Sequence, residues 1–202
     1  NESIIMKKVY LLLFTISLSF ISFGQSPIVT IDRANGSGPT ATGHAASISS
    51  IGITRGIGVN ERPGTDFSSR DWNGTTQATA VTNNDYMEWS VTGNTNFNAE
   101  ITGVDIRLRR NTNGPANWQL FYSTDNFATA GIAVNGVETL AANTNVVYNY
   151  NSLSINSGAS GTITFRLYAW NAATNGGWLR VRRFASWSDF GVALPGIRLR
   201  GN

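Results

Sequence analysis

The stretch Val104-Asp105-Ile106-Arg107-Leu108-Arg109 alternates apolar and charged side chains at every position. Side chains along a β-strand point alternately to its two faces, so this pattern predicts a strand with one buried face and one wet face. The same period of two recurs in residues 86–91 and 163–170. No part of the chain after Gly24 sustains apolar residues at helical spacing with helix-forming residues between them. The pattern therefore predicts an all-β domain.

Turn-forming residues divide the chain into short segments. Gly, Asn, Thr and Ser are abundant, and pairs such as Asn73-Gly74 and Asn135-Gly136 are typical of turns. The predicted strands are 27–33, 50–58, 67–72, 84–92, 101–110, 117–123, 146–155, 162–170, 178–184 and 190–200. About 9–10 short strands separated by turns predict a two-sheet antiparallel β-sandwich with a jelly-roll-like arrangement.

Residues 6–24 have the three parts of a secretory signal peptide. Lys7 and Lys8 precede an apolar run of about 15 residues, and small residues stand at Ser22 and Gly24, before Gln25. The alternative, a membrane anchor, needs about 20 apolar residues. We therefore predict a secreted or cell-surface protein with no transmembrane segment. Residues 1–5 are predicted to be an untranslated lead-in, and residues 25–202 a single β-sandwich domain.

Composition excludes several classes of site. The chain has no cysteine and one histidine, His44, which excludes the common zinc clusters and a cysteine nucleophile. Of its 15 basic and 12 acidic residues, two lysines and Glu2 precede Gln25, which leaves 13 arginines against 11 acidic residues. A balance this close to neutral gives little support to nucleic-acid binding, and none is predicted.

Three tryptophans lie beside turn residues and are candidates for ligand contact. Trp72 precedes Asn73-Gly74, Trp178 follows two glycines, and Trp187 lies between two serines. An indole at a loop tip can stack on the apolar face of a sugar while a neighbour such as Asn73 binds its hydroxyl groups. The alternative is that these rings close the ends of the sandwich and are buried.

Arginines recur at every second position of the predicted strands, so each pair shares one strand face. These arginines are Arg107 and Arg109, Arg166, Arg180 and Arg182, and Arg198 and Arg200. Guanidinium groups bind carboxylate and sulfate groups in a bidentate manner, so the pattern indicates an acidic-polymer surface, with Arg180 and Arg182 as candidate ligand residues. The alternative is a solvated face whose arginines stack on Tyr168 and Trp170 and pair with Asp105 or Glu88.

Structural calcium is a further candidate ligand. No other cofactor is predicted. Asp71 near Asn73, and Asp125 next to Asn126, could supply carboxylate and carbonyl oxygens. Asp and Asn residues in turns more often hydrogen-bond their own backbone, which is the alternative interpretation.

An ordered series of short segments carries a resemblance to a known module. The segments are Thr54-Arg55-Gly56, Trp72, Asp85-Tyr86-Met87-Glu88-Trp89, Ile106-Arg107-Leu108-Arg109-Arg110 with Gly114-Pro115, Tyr122-Ser123-Thr124-Asp125-Asn126-Phe127, and Ile163-Thr164-Phe165-Arg166-Leu167-Tyr168-Ala169-Trp170. From Ile51 to Arg200 the chain resembles a β-sandwich module of exported, often multidomain proteins of Bacteroidota. The resemblance implies a module beside neighbouring domains of the same polypeptide, and no catalytic residues.

The sequence therefore predicts a secreted, non-catalytic module that binds a polysaccharide or cell-surface glycan, within a larger exported protein. A structural spacer or assembly domain is the first alternative. A glycan-acting hydrolase is the second, and it requires two carboxylates facing each other in one cleft.

Overall fold

The computed structural model describes residues 26–32, 42–64, 66–185, 188–189, 192–193 and 195–201. For residues 188–189 and 192–193 it describes the backbone only. The predicted signal peptide and Trp187 lie outside these ranges, so both stay predictions.

The described chain is almost entirely β-structure. In chain order its elements are β1 (Ser26–Ile31), β2 (Thr42–His44), β3 (Ile48–Arg55), β4 (Asn60–Glu61), β5 (Phe67–Arg70), α1 (Gln77–Asn83), β6 (Tyr86–Gly93), β7 (Glu100–Arg110), β8 (Asn117–Ser123), β9 (Ile132–Ala133), β10 (Glu138–Thr139), β11 (Val146–Tyr150), β12 (Ile155–Asn156), β13 (Thr162–Trp170), β14 (Trp178–Val181), β15 (Ser188–Asp189), β16 (Val192–Ala193) and β17 (Ile197–Gly201).

Two antiparallel sheets form the sandwich. The first sheet has the order β2-β1-β17-β7-β14-β5-β4, with β11 and β12 also paired to β7. The second sheet has the order β10-β8-β13-β6-β3, with β9 paired to β8. Strand β7 is the centre of the first sheet: Ile106 pairs with Tyr148 of β11 on one edge and with Ile197 of β17 on the other. The predicted all-β, two-sheet fold is confirmed.

The core lies between the inward faces of the two sheets and is rich in large rings. Trp89 of β6 stacks on Phe165 of β13 with their centroids 5.7 Å apart. Trp118 of the second sheet meets Tyr148 of the first edge to face, at 4.7 Å. Such pairs contribute about 0.5–1.5 kcal/mol beyond the area they bury, so these contacts help to fix how the sheets face each other.

Some predicted strand boundaries are wrong for local reasons. The predicted strand 146–155 is divided into β11 and β12, since Ser152 has a left-handed backbone with φ 59°. Strand β5 ends at Arg70 rather than at residue 72, because Asp71 takes φ 68° and turns the chain out of the strand. The predicted strand 190–200 contains Pro195, which has no N–H for a ladder, and β17 begins only at Ile197.

Helix α1 contradicts the expectation that the domain contains no helix. Thr76 caps its N-terminus, where its hydroxyl accepts a hydrogen bond from the Thr79 amide, and the Thr79 hydroxyl accepts one from the Thr76 amide. Asn84 ends the helix in the left-handed region at φ 60°. The helix has seven residues, and only Ala80 of these is buried. A segment this short shows no apolar period in the sequence. Among the described residues no helix is long and apolar enough to cross a bilayer.

A buried carboxylate holds β7 to β17. Asp105 has a side chain only 2 % exposed, and its Oδ2 accepts from Nε of Arg198 at 3.1 Å and from Nε of Arg200 at 2.9 Å. Its Oδ1 accepts a further bond from Arg200 at 3.0 Å. Because the carboxylate is out of water, it depends on these donors to offset its desolvation.

Asp105→Asn should lower the free energy of unfolding by about 3 kcal/mol, because it removes the buried carboxylate that both arginines of β17 share. Urea unfolding of both proteins measures the change. Glu88→Gln is the matched control: its pair with Arg166 is one to one and more open, at 27 % and 18 % exposure, so we expect a loss of about 1 kcal/mol or less. Equal losses in the two variants would contradict the assigned role of Asp105.

Asp85 is a second buried carboxylate, at the end of α1. Its Oδ2 accepts a hydrogen bond from the Gly74 amide at 2.6 Å, and its own amide donates to the carbonyl of Ala80. Burial raises the pKa of Asp85, while hydrogen bonds from Gly74 and Asn83 lower it by less. The side chain therefore joins the turn before the helix to the residues after it.

The raised pKa of Asp85 predicts a particular pH dependence of stability. Above the ordinary pKa of 3.8 the native state keeps a proton that the unfolded chain has lost, so stability falls as pH rises toward the raised pKa. Asp85→Asn should remove this fall, as measured by urea unfolding across that range. Asp125→Asn is the control, because hydrogen bonds from Ser123 and Thr129 lower the pKa of Asp125. Parallel stability curves for wild type and Asp85→Asn would refute the assignment.

Candidate functional site

Trp72 is a core residue and not a ligand platform. It is 2 % exposed, and its Nε1 donates to the carbonyl of Ser69 at 2.9 Å. The prediction that this ring stacks on a sugar is therefore wrong. The turn at Asp71 directs the indole into the sandwich, whereas Asn73 is exposed.

Trp178 and Arg180 lie together on the outward face of β14, and Arg182 directly follows that strand. The guanidinium carbon of Arg180 lies 4.0 Å from the centroid of the Trp178 ring, and that of Arg62 lies 5.1 Å from it. Arg182 pairs with the buried carboxylate of Asp66. The indole here supports arginines, which differs from the predicted stacking on a sugar.

The predicted arginine face is divided between the two sheets. Arg107, Arg109 and the arginines of β14 and β17 lie on the first sheet, whereas Arg166 lies on β13 of the second sheet. Arg166 pairs with Glu88, as the alternative interpretation expected. The arginines of β17 pair with Asp105 in the same way.

A cleft of about 350 Å³ opens on the outward face of the second sheet. Strands β8 and β13 form its floor, α1 forms one wall, and the connection from β8 to β9 forms the other. Its lining consists of Gln77, Val81, Asn84, Phe121, Phe127, Thr129, Ala130, Gly131, Arg166 and Tyr168. Sites for small ligands have this size and this mixture of rings with a few polar groups.

The floor of the cleft is aromatic. Tyr168 meets Tyr86 edge to face at 5.3 Å and Phe121 at 5.9 Å. Helix α1 covers this floor on one side, because Ala80 packs with Tyr168 and Trp170 in a small apolar cluster outside the main core. Tyr168 and Trp170 were expected on a wet strand face, and the helix is the reason that both are buried.

Arg166 is held rigidly between rings. Its guanidinium carbon lies 4.3 Å from the ring centroid of Tyr86 and 4.2 Å from that of Phe127, and its Nε donates to Oε2 of Glu88 at 2.6 Å. Burial alone would lower the pKa of Arg166, but hydrogen bonds with Glu88 and Tyr168 outweigh it and raise the pKa. The guanidinium therefore stays charged, and Glu88 balances its charge.

The far wall of the cleft is a turn stabilised by Asp125. Its Oδ2 accepts from the amide and the hydroxyl of Thr129, and its Oδ1 accepts from the hydroxyl of Ser123 at 2.5 Å. Phe127 takes φ 59°, and its ring lies where a side chain on Gly131 would have to be. A hydrogen-bonded turn thus presents Phe127 to the cleft.

These contacts bear on the calcium prediction as well. Both oxygens of Asp125 are engaged by groups of its own turn, and Asp71 accepts a hydrogen bond from Asn60 at 3.0 Å. Among the described residues, no three acidic or histidine side chains gather as a metal site would require. Calcium at Asp71 or Asp125 stays a prediction.

The residues lining the cleft suit binding better than bond cleavage. They include amides, a hydroxyl, a guanidinium and rings, but none of the ten is a carboxylate or a histidine. Glycoside hydrolysis needs two carboxylates on either side of the scissile bond. The cleft can therefore stack and hydrogen-bond a ligand, and its walls do not supply that catalytic pair.

Sequence reasoning missed this cleft because its walls are made of connections. Phe127 and Gln77 lie in segments with no strand period, and nothing in the sequence places them opposite each other. The available signals were the threonines that cap α1 and the aromatic side chains at outward positions of two strands, Phe121 and Tyr168. Arg166 was identified as an outward arginine, but the sequence did not show that its strand and the other arginine strands lie in different sheets.

No protein-family model matches this sequence, and no curated protein matches it. Among solved structures, the chain is similar to the CBM22-1 xylan-binding domain of Paenibacillus barcinonensis Xyn10C, at 12 % identity and a TM-score of 0.39 over 88 % of this chain and 96 % of that one. The tandem CBM22-1-CBM22-2 domain of the same protein gives 11 % identity and a TM-score of 0.43, over 89 % and 47 %. Allantoicase from Saccharomyces cerevisiae gives 10 % identity and a TM-score of 0.36, over 77 % and 40 %. Likeness at this level assigns neither a family nor a ligand.

Proposed function

We propose that this domain is a non-catalytic module that binds a neutral polysaccharide segment in the cleft of the second sheet. The observation that carries the proposal is the combination of partly exposed rings, Phe121 and Phe127, with a fixed guanidinium in one concave site. Phe121 and Phe127 offer apolar faces for the C–H surface of a sugar, while Gln77, Asn84 and Thr129 supply donors and acceptors for its hydroxyl groups.

The charge balance of the cleft favours a neutral ligand. Arg166 is paired with Glu88 at 2.6 Å, so the site carries no net charge from this pair. An anionic ligand would have to compete with Glu88 for the guanidinium. A sugar hydroxyl needs only the donor hydrogens of Arg166 that Glu88 leaves unused, since a guanidinium has five.

A spacer or assembly domain is the second candidate, and one observation favours it. That hypothesis expects loop tryptophans to pack inward, as Trp72 does. It gives no reason for the cleft, and it predicts that no polysaccharide binds there. The proposal also includes export of the protein and neighbouring domains in the same polypeptide, which the signal-like residues 6–24 and the module resemblance support.

Replacement of Phe127 by Ala should weaken polysaccharide binding about tenfold, or about 1.4 kcal/mol, because it removes one ring from the cleft. Native affinity electrophoresis in gels containing arabinoxylan, mixed-linkage β-glucan, galactomannan or laminarin measures the change. Phe97→Ala is the matched control, since Phe97 is 54 % exposed and lies outside the cleft. We expect binding of at least one polymer by wild type and by Phe97→Ala.

Gln77→Ala tests the same site independently of Arg166, which stacks on Phe127. It should weaken the binding several-fold without lowering the melting temperature, because Gln77 is the first residue of α1 and is only partly buried. Absence of binding to every polymer would overturn the proposal. Equal binding by wild type and both cleft variants would also overturn it.

A further inference from the structure

A second, chemically different surface lies on the outward face of the first sheet. Arg180 of β14 pairs directly across the ladder with Arg109 of β7, so two like charges stand opposite each other. Arg62 approaches from the chain after β4, and all three guanidinium groups gather around the Trp178 ring, at 4.0, 5.1 and 6.0 Å for Arg180, Arg62 and Arg109. We call these four residues the arginine–tryptophan patch.

The patch has more positive charge than its described surroundings neutralise. Asp66 is the carboxylate beside it, but Asp66 pairs with Arg182 and is 3.9 Å from Arg180. Burial lowers the pKa of Arg180, and repulsion from Arg62, Arg182 and Arg109 lowers it further, although attraction by Asp66 raises it in part. Glu61 stands opposite Ser69 in the ladder, and its charge acts on Arg55.

Like charges directly opposite each other on a sheet destabilise it, so this arrangement needs a compensating partner. Trp178 supplies part of the compensation, because guanidinium groups are attracted to the face of an indole ring. The ring holds the three groups at one place instead of letting them separate into solvent. The Nε–H groups of Arg109 and of its neighbour Arg107 are buried and have no acceptor among the described residues.

We propose that the arginine–tryptophan patch binds the sulfate or carboxylate groups of an acidic polysaccharide. Guanidinium forks recognise such planar or tetrahedral anions through paired N–H donors. The arginines of one strand recur every second residue, about 7 Å apart, so Arg107 continues the row beyond Arg109 of the patch. A row of cations suits a polymer that carries a repeated anion better than a single small ion.

The covered ring of Trp178 disfavours nucleic acid as the ligand. Proteins that bind single strands stack bases on exposed aromatic faces, whereas the Trp178 ring already has arginines over it. The patch is also separate from the cleft, because it lies on the other sheet and shares none of the cleft's lining residues.

Dextran sulfate and dextran form the matched probe, since they differ only in their sulfate groups. We expect the protein to bind dextran sulfate and not dextran in isothermal titration at low salt, with binding that weakens as salt is added. Arg109→Gln should weaken the binding at least tenfold while leaving the melting temperature unchanged or raised, because it removes one member of a like-charge pair. A purely structural arginine would instead lower the melting temperature when replaced.

Arg183→Gln is the control with the same change of charge, since Arg183 is exposed and makes none of the contacts to Trp178. It should change the affinity less than twofold. Trp178→Leu should weaken binding as Arg109→Gln does, because the arginines lose their common support. Phe127→Ala should not change it, which separates this proposal from the one for the cleft.

Three results would overturn the inference. If dextran bound as tightly as dextran sulfate, the sulfate groups would not be what the protein recognises. If Arg183→Gln weakened the binding of dextran sulfate as much as Arg109→Gln does, the affinity would depend on the net charge of the protein and not on the patch. Binding of a single-stranded oligothymidine as tight as that of dextran sulfate would assign the patch to nucleic acid.

Discussion

The pleat of β7 constrains most of this domain. Because its side chains alternate, Ile106 and Leu108 enter the core while Asp105, Arg107 and Arg109 face outward. The strand pairs with β11 and β12 on one edge and with β17 and β14 on the other, so its register sets theirs. A slip of one residue would place charges in the core and expose the apolar row. Asp105 opposes that slip, because its bonds to the arginines of β17 form only in the native register.

The two outward faces are built for different chemistry from the same residue type. On the second sheet Arg166 is neutralised by Glu88 and enclosed by rings. On the first sheet several arginines converge on one ring, with the buried carboxylate of Asp66 beside them. The first arrangement suits hydroxyl groups and apolar sugar faces, and the second suits anions. The difference comes from which strands are neighbours, since each arginine alone has the same donors.

The cleft depends on two short connections more than on the sheet beneath it. Helix α1 and the turn held by Asp125 rise on either side of β8 and β13 and convert an outward sheet face into a concave site. Loops positioned by a rigid scaffold commonly carry binding residues. Here Asp85 fixes the helix end and Asp125 fixes the opposite turn, so the two walls each depend on one carboxylate.

The sequence by itself determined the fold class, most strand positions and the face that each arginine takes along its own strand, because a period of two is a local property of the chain. It could not determine that Trp72 is buried, that α1 covers Tyr168, or that Phe127 faces Arg166. Those outcomes depend on a left-handed residue, a seven-residue helix and a turn, none of which has a periodic signature. The local pattern likewise does not predict strand order. Strand order alone places Arg180 opposite Arg109 and Arg166 on the other sheet.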